Sequence, residues 1–285
     1  MRLTKALALA PDSARIEVQC LLQRVLNVTR AYLPTHPERR LNTPEQTCYD
    51  ELLQRRLRGE PIAYLLGERE FFGLLFKVTP DTLIPRPETE LLVELALQRM
   101  PSPPAPPPRG KGGRQAGRGR FRVLDLGTGS GAIALSIAHV RPDVEMLACD
   151  TSAAALDVAR ENAQKLGITN AAFLLSDWFK SFAGKRFDMI VTNPPYVAAD
   201  DPHLAQGDVR FEPASALASG NDGLQDIRRI ISHASNHLGS SGWLLLEHGY
   251  DQAAQVRELL QQAGYGEVFS AHDLAGIERV SGGQA

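Results

Sequence analysis

The segment Asn193-Pro194-Pro195-Tyr196 places a side-chain amide, two prolines and a phenol in succession after an apolar run, Phe187–Thr192. Two prolines hold the backbone extended and remove two amide donors, leaving carbonyls free to accept. The Asn193 side-chain oxygen and the Pro194 carbonyl can together accept both hydrogens of an –NH2 group. Tyr196 can cover the flat face of the group that carries it. The nitrogen of an amide or an aromatic amine has a delocalised lone pair and is a poor nucleophile. Two fixed acceptors orient it and favour positive charge on it as a new bond forms. The carbon it attacks must lie in line, about 3–3.5 Å away. A strong base is not required, because the nitrogen becomes acidic as it reacts and carbonyls or water can take the proton. An isolated Asn-Pro after a strand would be a simple turn, so the reading depends on what precedes it.

What precedes it is Asp125-Leu126-Gly127-Thr128-Gly129-Ser130-Gly131, which follows one apolar strand and opens a helix. Three glycines let the backbone turn sharply and approach a ligand closely. Nicotinamide and flavin proteins use similar turns, but two details favour S-adenosylmethionine. Asp125 can attract the methionyl amine, directly or through water, and would repel a pyrophosphate. Asp150 ends the second strand, 23 residues after Gly127, where doubly wound folds place an acid for ribose hydroxyls. Asp177-Trp178 follows the third strand, where an acid can accept from the adenine amino group and an aromatic ring can line its face. The cofactor-binding set is therefore Asp125, Gly127, Thr128, Gly129, Ser130, Gly131, Asp150, Asp177, Trp178 and Asn193. The catalytic set is Asn193, Pro194 and Tyr196, with Pro195 added for the acceptor. The expected product of the donor is S-adenosylhomocysteine.

Alternating strands and helices must position these residues. Strands are expected at 121–126, 144–149, 172–175, 187–191, 243–247, 268–270 and 277–280, with helices at 132–140, 153–166, 227–238 and 252–263. The last two strands read as an antiparallel edge. This alternation predicts an α/β, doubly wound, mainly parallel sheet of seven strands with ligands at their carboxyl ends. Together with the S-adenosylmethionine reading, it predicts a Rossmann-like class I methyltransferase domain. Ahead of it, Ser13 and Thr43-Pro44 read as starts of two helices, and Gly59 as the stop of the second. Phe71–Val78 reads as a strand or hairpin, and Leu91–Met100 as a helix behind the stiff Ile84-Pro85-Arg86-Pro87 approach. Eleven of the twenty residues in 101–120 are Pro or Gly, and five Arg or Lys sit among them. That composition predicts a solvated, flexible linker.

Of the 285 residues, 43% are hydrophobic and 22% charged, with a net charge of −2. This is the balance of a soluble globular protein and lacks the basic excess of a protein that clamps duplex nucleic acid. No stable nucleic-acid binding is expected, and a monomer is the default. Three scattered cysteines without ligand spacing read as buried thiols in a reducing compartment. The seven dispersed histidines read as surface or packing residues, and no metal site is visible. Neither a signal peptide nor an apolar run long enough to span a bilayer is present, which predicts a cytoplasmic protein with no membrane partner. The chain ends Gly282-Gly283-Gln284-Ala285, read as a glycine-rich tail.

Together with Gly59-Glu60-Pro61-Ile62-Ala63-Tyr64, Phe71-Phe72-Gly73, Leu83–Glu90, Phe211-Glu212-Pro213 and Asp222-Gly223-Leu224, these motifs closely resemble the release-factor glutamine methyltransferases, the PrmC/HemK family, over nearly the whole chain. Asn-Pro-Pro-Tyr alone is shared with adenine-N6 and other nucleic-acid amino-group methyltransferases, which remain the alternative. The Ile-Pro-Arg-Pro-Glu-Thr-Glu and Phe-Glu-Pro segments are far more specific. The resemblance implies N5-methylation of the glutamine in the Gly-Gly-Gln motif of peptide chain release factors. It implies a release-factor-docking helical domain over 1–70, a hairpin, helix and linker over 71–120, and a methyltransferase domain over 121–285. The 101–120 stretch is longer and more basic than the family pattern. Phe211-Glu212-Pro213 reads either as a lid over the glutamine or as a rigid connection.

Overall fold

The computed structural model describes residue 7 and residues 9–103 and 120–285. Most of the stretch read as a flexible linker lies outside the described residues. Helix α1 (Pro11–Leu26) is not capped by Ser13. It starts at Pro11, because proline at the first helical position loses no hydrogen bond there. A short α2 (Tyr32–Thr35) leads to α3 (Thr43–Leu57). The cap of α3 is Asn42 rather than Thr43: Asn42 Oδ1 accepts from Glu45 N (2.9 Å) while Glu45 Oε2 accepts from Asn42 N (2.8 Å). This reciprocal pair satisfies two otherwise orphaned donors, which a threonine one residue later cannot do in the same geometry. The helix stops before Gly59, as read. α4 (Ile62–Leu66) closes a small core of Leu21, Leu52 and Leu65.

β1 (Glu68–Phe71) and β2 (Leu74–Lys77) form an antiparallel hairpin. α5 (Glu90–Arg99) follows the proline-rich approach. The main sheet then builds from β3 (Arg122–Leu126), α6 (Ala132–Val140), β4 (Glu145–Asp150), α7 (Ala153–Leu166), β5 (Ala171–Leu175) and β6 (Phe187–Thr192). It is completed by α8 (Gln225–Ala234), β7 (Leu238–Glu247), α9 (Ala253–Gln262), β8 (Gly266–His272) and β9 (Glu278–Gln284). The strand order is β5-β4-β3-β6-β7-β9-β8, parallel through β7 and antiparallel at β9 and β8.

Period-two alternation along each strand feeds two cores. Val123, Met146, Ala148, Met189 and Val191 face α5, α6 and the hairpin, whereas Leu124, Leu147, Cys149, Ile190, Leu244 and Leu246 face α8 and α9. The chain order reverses between β3 and β6, and ligand clefts of doubly wound sheets open at such a switch point.

Three readings are corrected. The helix read at 227–238 ends at Ala234 and gives way to a 3-10 turn, so β7 begins at Leu238 instead of Trp243. Of the cysteines only Cys149 is buried; Cys48 is exposed and Cys20 intermediate. Gly282-Gly283-Gln284 is not a tail but the end of β9, an interior strand between β7 and β8, with Gly282 registered against both Leu245 and Phe269. A Cβ on Gly282 would lie 2.6 Å from Leu245 Cδ2 and 2.8 Å from Phe269 Cε1, so packing of two sheet neighbours accounts for that glycine. Gln284 Nε2 donates to the Ser241 carbonyl (3.0 Å).

Candidate functional site

The carboxyl ends of β3, β4, β5 and β6 border a cavity of about 250 Å³. Its wall includes Gly127, Gly129, Asp150, Asp177, Trp178, Asn193 and Pro195. The turn after β3 runs through Gly127 at φ +72° and Gly129 at φ +54°. A Cβ on Gly127 would meet the Trp178 ring at 3.5 Å, an ordinary contact, so the left-handed φ rather than space is what favours glycine there. Asp150 reaches across from β4: its Oδ2 accepts from Gly129 N and its Oδ1 from Ser152 N, both at 2.9 Å. The cap of α7 is Ser152, which accepts from Ala155 N, so Asp150 serves the glycine turn and the cavity instead.

Not every residue of the expected cofactor set meets the cavity. Asp125 is fully buried behind the turn, where Thr128 Oγ1 donates to its Oδ2 (2.7 Å) and Oδ1 has no hydrogen-bond partner among the described residues. Burial pushes its pKa up to about 7, against the hydrogen bond from Thr128. Its part is therefore beneath the turn, not at the cavity wall. Thr128, Ser130 and Gly131 stand with it behind the wall; the Ser130 carbonyl accepts from Asn162 Nδ2 (2.9 Å).

Trp178 sits at φ +49°, a left-handed conformation that bulky residues rarely adopt. Its carbonyl accepts from Ser176 Oγ (2.9 Å) and its indole Nε1 donates to Asp226 Oδ1 (3.3 Å). Such over-determination is what holds a strained residue in place. Asp177 pairs with Arg229 and Lys180, at 2.8 Å each, and Arg229 foremost holds its carboxyl below the usual carboxylate range. Asp226 and Arg229, both on α8, join the cavity wall and carried no motif in the sequence.

A second cavity, of about 220 Å³, opens on the other side of Asn193, lined by Arg86, Tyr196, Val197, His203, Leu204 and Leu217 among others. Asn193 lines both cavities. It is placed there because Thr192 Oγ1 donates to the Leu126 carbonyl (2.7 Å), tying the end of β6 to the end of β3. Asn193 Nδ2 donates to Thr89 Oγ1 (3.2 Å), which leaves Oδ1 as an acceptor. The Tyr196 hydroxyl donates to Glu247 Oε1 (3.2 Å), and the Tyr196 carbonyl accepts from Gln252 Nε2 (3.0 Å). A Cβ at Gly223 would collide with that same carbonyl, which is why a glycine stands there.

The two most specific motifs are clasped together. Buried Glu212 accepts from Ile84 N (2.9 Å) and from the Arg86 guanidinium. The Phe-Glu-Pro segment is thus a rigid connection that also brings Pro213 to the first cavity. Arg56, on α3 and 2% exposed, pairs with Glu17 (2.8 Å) on α1 and Asp208 (2.9 Å), joining the helical region to the same loop. His248 is buried, with Nε2 2.8 Å from Ser281 Oγ, as a packing residue. Among the described residues no group of three or more His, Cys, Asp or Glu could hold a metal ion, and no helix is long and apolar enough to cross a membrane.

A doubly wound sheet ending in antiparallel strands, with a glycine-turn cavity abutting an Asn-Pro-Pro-Tyr turn, defines a methyltransferase of the Rossmann-like class. Residues 116–220 match the family described as Methyltransferase small domain, and residues 1–67 the PrmC N-terminal domain. A methyltransferase from Pyrococcus furiosus shares the fold at a TM-score of 0.53 and 16% identity, over 82% of this chain and 98% of that one. The Release factor glutamine methyltransferase of Bordetella pertussis is 49% identical, covering 99% of both chains. That of Escherichia coli K12 is 46% identical over 96% of this chain and 94% of its own. The chain belongs to the release factor glutamine methyltransferase family.

Proposed function

We infer that this protein transfers a methyl group from S-adenosylmethionine to the side-chain amide N5 of a release-factor glutamine. The observation that carries the site assignment is that Asn193 borders both cavities and is the one polar side chain among the three residues, with Leu83 and Ala216, that line both. The strand-end cavity suits the donor. Its glycine turn lines it beside Trp178, and Asp150 stands at the β4 end where ribose hydroxyls are received. Asp125, buried with one free oxygen, would act on the donor through the turn it supports. The second cavity then receives the glutamine, with Arg86, His203 and Leu204 on its far wall.

Bound S-adenosylmethionine supplies an electrophilic sulfonium methyl: nitrogen takes the carbon, the C–S electron pair stays on sulfur as S-adenosylhomocysteine leaves, and the amide nitrogen sheds one proton. Asn193 Oδ1 and the Pro194 carbonyl accept the two N–H bonds of the glutamine and hold its nitrogen in line. They also favour the positive charge that develops there. Pro195 keeps the segment extended, and Tyr196 lies against the amide plane. The helical region 1–70 docks the release factor, and its Arg56 tie to the Asp208 loop holds it beside the second cavity. The hairpin, helix and linker of 71–120 join it to the catalytic domain at 121–285. A cytoplasmic monomer suits this role.

The test is incubation with labelled S-adenosylmethionine, a release factor, and the same factor with its Gly-Gly-Gln glutamine replaced. Label is expected in the first protein only. Equal label in both would sink the glutamine assignment.

A further inference from the structure

The loop 200–212 runs from the Asn193–Tyr196 segment toward α8 with only two 3-10 turns of its own, Pro202–Ala205 and Val209–Phe211. Its backbone hydrogen bonds close locally, so partners elsewhere must fix where it stands. Among the described residues, every long-range side-chain hydrogen bond made by this loop runs to residues 56–86, and none to the main sheet.

Two of these holds come from the helical region itself. Arg56 Nε and Nη2 donate to the two carboxylate oxygens of Glu17 (2.8 and 2.9 Å), and its Nη1 donates to the Glu60 carbonyl (3.0 Å) and to Asp208 Oδ1 (2.9 Å). A guanidinium presents its donors in one fixed plane, so once Glu17 sets that plane the remaining edge sets where Asp208 stands. Arg210 Nη2 donates to the Arg58 carbonyl (2.7 Å) at the end of α3, where helix carbonyls are left open. A Cβ on Gly59 would collide with the Arg210 guanidinium, so the glycine that ends α3 also makes room for this hold. Phe211, next in the chain, packs on Ala63, Tyr64, Val78 and Ile84.

Val209 sits between the two anchored residues and lines the second cavity, together with His203 and Leu204 of the same loop. We propose that the helical region helps to build the acceptor site as well as docking its partner. Asp208 and Arg210, held by Arg56 and the Arg58 carbonyl, are positioning residues that set the Val209 wall against the glutamine. The inference rests on the second cavity being the glutamine site. A docking role alone would change how tightly the release factor binds; a positioning role changes the rate once it is bound.

The experiment is steady-state methylation of a release factor by the full-length enzyme at saturating donor, with release-factor affinity measured by calorimetry and folding by thermal melting. Asp208→Ala leaves Arg56 paired with Glu17 on two bonds, so the buried cation keeps a partner and the helical region its fold. Asp208→Ala and Arg210→Ala are each expected to lower kcat about tenfold, and the double variant on the order of 10²-fold, the scale of a substrate misplaced by about 1 Å. Release-factor Kd and donor KM should stay within about threefold of wild type. Asp208→Asn, which keeps an oxygen to accept from Arg56, should lose less than Asp208→Ala. A loss confined to release-factor KM and Kd, or one that vanishes when rates are taken per folded enzyme, would overturn the proposal. Wild-type kcat in the double variant, with label still confined to the Gly-Gly-Gln glutamine, would overturn the role of the loop alone. Equal label in a release factor whose glutamine is replaced would overturn the acceptor reading and this inference with it.

Discussion

The wall proposed to face the donor and the wall proposed to face the methyl acceptor share Asn193 but are built by different means. The donor wall is largely backbone and strand ends: Gly127, Gly129, Asp150, Ser176 and Trp178 follow β3, β4 and β5 in turn. Each residue is delivered by the strand beside it, with Asp226 of α8 adding a hold on the Trp178 ring. The acceptor wall is stitched from side chains remote in sequence. Thr89 meets Asn193, Glu212 meets Ile84 and Arg86, and Glu247 and Gln252 meet Tyr196. One wall follows mainly from topology; the other is held chiefly by partners more than 50 residues apart. Changes on the donor side should therefore be local, and changes on the acceptor side should propagate.

The largest effect expected is at the junction. Asn193→Ala should lower kcat about 10³-fold, as loss of one preorganised polar contact does. Donor affinity measured by calorimetry should change far less; an equal loss in both would mean that the two walls are not separable at this residue.

Glu212→Ala should cost about 3 kcal/mol in urea unfolding, because it frees the buried Ile84 amide and unpairs Arg86. It should also raise the release-factor KM. A loss under about 0.5 kcal/mol, ordinary for an unspecialised surface site, would break the claim that the acceptor wall is clasped.

The pH dependence of stability offers a third test. Burial pushes Glu247 from its ordinary 4.5 up to about 7. Between these values the folded state binds the proton more tightly than the unfolded chain. Stability therefore falls as pH rises through that window, by about 3 kcal/mol if fully expressed. Asp125, raised to about 7, slopes the same way and belongs to the donor side. Glu247→Gln should remove part of the slope, with a higher Tm than wild type at pH 8 and little gain at pH 5. No difference between the two proteins across that range would refute a buried ionising Glu247.

The smallest effect sharpens the donor wall. Asp150→Asn should raise the donor KM about tenfold with kcat nearly kept, the pattern of a contact made equally in ground and transition states. A fall in kcat alone would move Asp150 to the reacting end.

Much of this was legible from residues in order. The helices 132–140 and 153–166 match α6 and α7 residue for residue, since their apolar spacing and flanking turns are local. The glycine turn and the acid ending β4 were visible for the same reason. The start of β7, the cap of α3 and the interior strand at 278–284 were less legible. A glycine pair carries no strand propensity of its own, and only Leu245 and Phe269 on either side explain Gly282.

What the chain order alone determined is the sheet, the strand-end glycine turn and the Asn193–Tyr196 segment that the proposed chemistry uses, because each arises from neighbours in sequence. Only the tertiary structure decided that Asp125 lies behind the turn, that Glu212 clasps Arg86 and that Glu247 stands behind Tyr196. Those relations depend on which side chains share a buried space and must satisfy one another's hydrogen bonds there, and no local pattern encodes that.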